Sequence, residues 1–255
     1  MTTDNGMWQL STGFLKVPAD KAFLKICEDD SKIYTRIQDE LKPEIAILDR
    51  TIILFISVLQ GIYSTADKWS KDKQIRAAVA MAGAVLNCSL LIRHALFLGY
   101  LPESITLIRY CHERTTRCLA FLGDAGIAKK FLDNKQIGQA KIDNAIRRLD
   151  KELGTSTYNG LRKIYGRLSE LSHPNLRSFS LRYGDVKLTE DIGNNIVIGG
   201  IQSKGLGQVS ILYFLLNLMP TIRILQIKFK SSTGESEAEF KSLTDSIEKM
   251  KKSVY

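Results

Sequence analysis

Residues 101–124 read LPESITLIRYCHERTTRCLAFLGD, and the way this stretch starts and stops decides the fold class. Pro102 suits a first helical turn, where the N–H that proline lacks would have no partner anyway. Glu103 complements the positive end of the helix, and Gly123 sits where a helix closes. Between them Ile105, Ile108, Cys111 or His112, Thr115, Leu119 and Leu122 recur every three or four residues. That spacing lines one face of a helix.

Helical signals continue on both sides. Phe23, Ile26, Ile33, Ile37 and Leu41 place a helix over about 19–41, with EDDSK as a candidate break. Pro43 opens another that runs to about Ser64, apolar nearly all round and so expected at the centre. A polar turn, STADKWSKDKQ, follows, with Ser70 as a candidate N-cap. Ile75, Val79, Ala82, Leu86, Leu90 and Leu91 then mark a helix over about 72–99. Beyond 124 come a brief helix around AKKFL and helices over about 141–153 and 156–173, with Gly154 stopping the first and Thr155 or Ser156 capping the second.

The period then changes. RSFSLRYGDVKLTE alternates about a YGD turn and NNIVIGG is β-branched, so 176–202 reads as a small β-hairpin or strand appendage. Helix resumes over 206–229, with Pro220 expected to kink or break it. Phe240, Leu243, Ile247 and Met250 make 231–255 an amphipathic C-terminal helix. Residues 1–18 form a loose lead-in. The fold class is therefore mainly α, a multi-helix bundle in one domain spanning 1–255, with a β appendage before the last helices.

Composition bounds the function. The chain has 255 residues, 44% of them hydrophobic, and a formal net charge of +9. Between Lys129 and Arg182 lie twelve Lys or Arg and five Asp or Glu, so +7 of that excess falls in one block. A basic excess favours anionic partners such as RNA. No basic segment followed by an apolar run marks a signal peptide, and four cysteines without paired spacing fit reduced thiols, so the expected location is cytoplasmic. The apolar runs 51–66 and 206–222 are interrupted by Gln, Gly, Ser or Asn, short of about 18 continuous apolar residues. They read as core helices, and no stable membrane span is expected.

The basic block holds YGRLSELSHPN, residues 165–175. Arg167 and His173 are candidates for acid–base chemistry on a phosphodiester: histidine titrates near neutral pH, and arginine stabilises charge developing on phosphate. Six residues apart on one helix, they point about 120° from each other, so they converge only if the helix frays at Pro174 or a second subunit contributes. Upstream, Arg109 and Glu113 share a helix face four residues apart, with Arg93 and His94 expected beside them. The bland alternatives are a histidine capping a helix C-terminus and an ordinary intrahelical ion pair. Cys111, His112 and Cys118 lack a fourth ligand at metal-site spacing, and GG at 199–200 and KGLGQ at 204–208 match no phosphate-binding loop. No metal or cofactor is expected.

SLLIRHALFLGYLPESITLIRYCHERTTRCLAFL followed by YGRLSELSHPNLRS resembles the HEPN superfamily of small helical bundles over about residues 75–180. The likeness lies in an LxR…E helix and a later helix with YxxLSxxxH. The resemblance implies metal-independent RNA cleavage across a homodimer, in toxin–antitoxin or phage-defence systems. It implies Arg167 and His173 as catalytic residues and Glu113 as the supporting acid. Arg109, Arg162, Lys163 and Arg177 are the basic residues expected to hold RNA, and an antitoxin or defence protein is a further expected partner. One departure is Leu168, where active members often have a polar residue. A non-catalytic interaction module, engaging nucleic acid or an acidic protein through the basic face, is the alternative.

Overall fold

A computed structural model describes residues 18–172, 204–231 and 234–254. Within them the chain forms α1 (Ala19–Glu40), α2 (Lys42–Tyr63), α3 (Ala66–Trp69), α4 (Lys73–Phe97), α5 (Leu101–Gly123), α6 (Ala125–Leu132), α7 (Gln139–Leu153), α8 (Thr157–Ser172), α9 (Lys204–Phe229) and α10 (Gly234–Val254). The described residues are thus helical throughout apart from turns. The expected β appendage at 176–202, together with His173 and Arg177, lies outside them.

Helix α5 is the hub, packing against α4, α6, α7, α8 and α9. Every residue of its expected stripe is buried, from Ile105 to Leu122, and both Cys111 and His112 are inside. The alternative between those two disappears because a helix with partners on several sides buries more than one stripe. Helix α9 is the second axis, touching α2, α5, α8 and α10. Pro220 lies inside α9 without ending it; residues on both sides, Leu218 and Ile222 among them, are fully buried.

Other expectations need correction. Ile53 of α2 is 63% exposed, so α2 is not the central helix that its composition implied. Leu90 and Leu91 also face outward; the buried face of α4 instead carries Ala78, Ala82, Val85, Ser89 and Ile92. Small side chains let α4 and α5 approach closely, so size rather than hydropathy alone orients α4. The cap of α4 is Asp72, which accepts from the N–H groups of Gln74 and Ile75, and not Ser70. EDDSK does not interrupt α1.

The turn from α7 to α8 is the tightest piece of local design. Gly154 closes α7 in the left-handed region, φ +67°, which only glycine enters freely. The first N–H groups of α8 are then capped by the preceding helix rather than by Thr155 or Ser156. The Asp150 carboxylate accepts from Thr157 N at 3.0 Å, Tyr158 N at 2.8 Å and the Thr155 hydroxyl. This fixes α8 against α7 at the mouth of the cavity described below.

Helices α2, α4 and α9 are each long and apolar enough to cross a membrane by length and composition. Within the fold, 78% of the apolar window of α9 is buried, against 44% for α2 and for α4.

Gly123 sets how closely α5 and α7 meet. A Cβ there would run into the Ala145 carbonyl oxygen and lie 3.2 Å from Leu149 Cβ, whereas a Cβ at Gly160 would meet nothing within 4 Å. Gly123→Ala should therefore lower unfolding free energy by roughly 2 kcal/mol or more, as backbone must move. Gly160→Ala, inside α8, should raise it by about 0.5–1 kcal/mol. Urea unfolding of both variants checks the opposite signs; equal effects would contradict the packing.

Candidate functional site

One edge of α5 presents His112, Glu113, Thr116 and Arg117 to a cavity of about 490 Å³. Helix α7 supplies Gln139, Ile142, Asp143 and Ile146, and α8 supplies Tyr158, Leu161, Arg162 and Tyr165. The α8 residues fall at i, i+3, i+4 and i+7, a single helical stripe. The volume lies within the roughly 300–1,000 Å³ of small-ligand pockets.

His112 is the most constrained polar group in the wall. It is 3% exposed, stacks on Tyr165 with ring centroids 5.4 Å apart, and sets Nδ1 2.8 Å from Asn217 Oδ1. Asn217 Nδ2 donates to Thr115 Oγ1 at 3.4 Å, which orients the amide so that its oxygen faces the imidazole. Nδ1 must then carry the proton, leaving Nε2 as a lone-pair acceptor on a ring that lines the cavity. Burial pushes the imidazole down to about 4, only partly opposed by the Asn217 hydrogen bond. The ring is therefore neutral at pH 7.

Tyr158 organises the opposite wall. Its hydroxyl accepts from Arg147 Nη2 at 3.0 Å and Arg162 Nη1 at 3.1 Å, and donates to Asp143 Oδ2 at 3.1 Å. The other Asp143 oxygen accepts from Gln139 Nε2 at 2.8 Å. The carboxylate is thus held on both sides.

The residues singled out from sequence fall in several places. Glu113 and Arg162 line the cavity. Arg109 lies at its edge, with its guanidinium 5.6 Å from the Tyr165 ring centroid and Nε 3.8 Å from Glu113 Oε1. Arg109 Nη1 also donates to Ser172 Oγ at 3.0 Å, reaching the last residue of α8. Arg167 leaves the bundle on another face of α8, its side chain 63% exposed and 3.3 Å from Glu170. Lys163 is exposed and does not line the cavity. Arg93, expected beside Arg109, instead forms a two-pronged ion pair with Asp49 of α2, at 2.6 and 2.9 Å.

Cys88, Cys111 and Cys118 are buried free thiols. Burial pushes Cys118 up to about 12, the behaviour of an inert core thiol. Among the described residues no group of three or more His, Cys, Asp or Glu side chains could hold a metal ion.

Sequence reading passed over Tyr158, Tyr165, Asp143 and Arg117, and treated His112 as core or metal ligand. The available signal was the Tyr158, Leu161, Arg162, Tyr165 stripe: polar tips at positions where a helix turns inward. Comparison brings no further constraint, since no protein-family model, curated protein or solved structure matches the chain.

The neutral His112 has a measurable consequence. An unfolded chain protonates this imidazole near pH 6.5, the folded one only near pH 4. The stability it contributes is complete above about pH 6.5 and is lost as pH falls toward 4, on the order of 3 kcal/mol across that window. His112→Phe should keep the ring stack, lower stability at pH 7, and flatten this part of the pH dependence. Urea unfolding from pH 7 to 4 tests it; parallel curves for the two proteins would contradict the assignment.

Proposed function

We propose that the chain is a HEPN-like RNA-acting protein: a metal-independent endoribonuclease that works as a homodimer, of the kind found in toxin–antitoxin or phage-defence systems. The hydrogen bond from Arg109 to Ser172 carries this reading. It ties the α5 pair Arg109 and Glu113 to the residue immediately before His173, so the helix bearing Glu113 and the end of the helix bearing Arg167 meet in the fold. Sequence spacing alone left these elements unconnected.

Arg167 supports the same reading. Among the described residues it pairs with Glu170, one turn along the same helix and at the surface, an interaction worth little in water. Its guanidinium is thus available to a phosphate, and its outward direction suits a site completed by a second copy. Leu168, where active relatives often have a polar residue, is fully buried; it anchors α8 and leaves the exposed face unchanged.

In the reaction, the RNA 2′-hydroxyl gives its proton to one neutral imidazole and attacks the adjacent phosphorus. The bond to the 5′-oxygen breaks, and that oxygen leaves with a proton from a protonated imidazole. The products are a 2′,3′-cyclic phosphate and a 5′-hydroxyl. Two His173 rings, one from each subunit, would serve as base and acid, and Arg167 would offset charge on the phosphoryl oxygens.

With single-stranded RNA and excess chelator, the purified protein should cleave, and Arg167→Ala and His173→Ala should each slow cleavage at least about 100-fold. Both variants should keep RNA binding that weakens steeply with salt. Cleavage untouched by either substitution overturns the assignment. Salt-sensitive binding by a wild-type protein that never cleaves overturns the nuclease and leaves the non-catalytic RNA-binding module.

A further inference from the structure

The cavity between α5, α7 and α8 takes no part in the cleavage step proposed for the end of α8. Its chemistry is asymmetric. Arg117 lines it without any hydrogen bond or ion pair among the described residues. Arg162, also on the wall, spends one nitrogen on the Tyr158 hydroxyl and has no carboxylate partner there. The two carboxylates of the same lining are engaged elsewhere, Asp143 by Tyr158 and Gln139 and Glu113 beside Arg109, so the two arginines face a cavity whose walls also include Ile142, Ile146 and Leu161.

His112, on the same edge of α5 as Arg117, supplies the third polar group. Its ring is fixed by Asn217 and Tyr165, and no group among the described residues bonds its Nε2. An acceptor of a cavity-lining ring that keeps its lone pair is satisfied by a ligand N–H or by water. The occupant thus needs an anionic group for the arginines, a flat body for the apolar walls and an N–H for the imidazole.

One unpaired nucleotide of an RNA strand has all three. Tyr165, seven residues or roughly 10 Å along α8 from Ser172, joins the cavity to the Arg109 end of the helix. A strand whose scissile phosphate lies at that end passes the cavity within a short distance. Sequence-specific RNA recognition commonly takes this form, with a splayed base held in a pocket and read along its edge.

Resting on the RNA-acting reading above, we propose that this cavity is a base-reading subsite. It takes one unpaired nucleotide near the cleavage point, with its phosphate on Arg117 and Arg162 and its base amine on His112 Nε2. Adenine and cytosine present an exocyclic amine, whereas uracil presents a carbonyl at the corresponding place. A carbonyl facing an unprotonated imidazole nitrogen gains nothing, and Glu113 and Asp143 nearby are acceptors as well. The subsite therefore prefers adenine or cytosine to uracil.

Fluorescence anisotropy with labelled 2′-O-methyl oligo(A), oligo(C) and oligo(U) tests this without cleavage, since the attacking hydroxyl is blocked. The full-length protein should bind the first two about tenfold more tightly than oligo(U), the order of one hydrogen bond to a well-placed partner. His112→Phe should erase that preference. Arg117→Ala, at an exposed position with no partner to lose among the described residues, should weaken binding to all three by about tenfold. Salt-sensitive binding with no base preference and no change in Arg117→Ala overturns the subsite while leaving the RNA-acting reading intact. No binding to any of the three at low salt overturns that reading itself, and the subsite with it.

Discussion

Helix α5 must satisfy neighbours on almost every side, and the rest of the structure follows from that constraint. Against α4 it presents small and thiol side chains, Cys118 among them, whose Sγ donates to the Ala78 carbonyl. Against α7 it ends in Gly123, where no larger residue fits. Against α9 it offers Thr115 and His112 to Asn217, and toward α8 it extends Arg109 to Ser172. Two of these four contacts are polar side-chain pairs, the one to α9 fully buried and the one to α8 half-buried. Buried polar groups are costly unless paired, so they fix the register of α9 and α8 more narrowly than apolar packing could.

That arrangement explains why a cavity persists among well-packed helices. Helix α8 is held at its start by Asp150 and at its end by Arg109, while the polar residues between them keep it from collapsing onto α7. Tyr158, Asp143, Gln139 and Arg162 satisfy one another across the gap. The walls are thus pre-formed by bonds that stand without a ligand. Preorganisation of this kind lowers the ordering cost of binding.

Helix positions were legible because caps and three-to-four spacing are local signals. Pro102, Gly123 and Gly154 mark boundaries within a residue or two. What composition could not show was which side of a helix faces inward. Leu90, Leu91 and Ile53 are strongly apolar yet exposed, while Ala78, Ser89 and Thr115 are fully buried, because helix–helix distance favours small residues at the closest contacts. Caps supplied from another helix, such as Asp150, were equally out of reach. The site was legible in part. Glu113 and Arg162 could be named from charge and motif. Tyr158, Asp143 and the acceptor role of His112 depend on Asn217 and Arg147, which only folding brings near.

The RNA-acting role proposed above would bring RNA to the α5–α8 junction. Direct ultraviolet cross-linking of the protein to unmodified single-stranded RNA of mixed sequence, with peptides mapped by mass spectrometry, tests it most directly. Cross-links should concentrate on peptides of α5 and α8, with Tyr165 among the modified residues. Cross-links confined to α1, α2 or α10, or none at an RNA concentration that saturates binding, would contradict it.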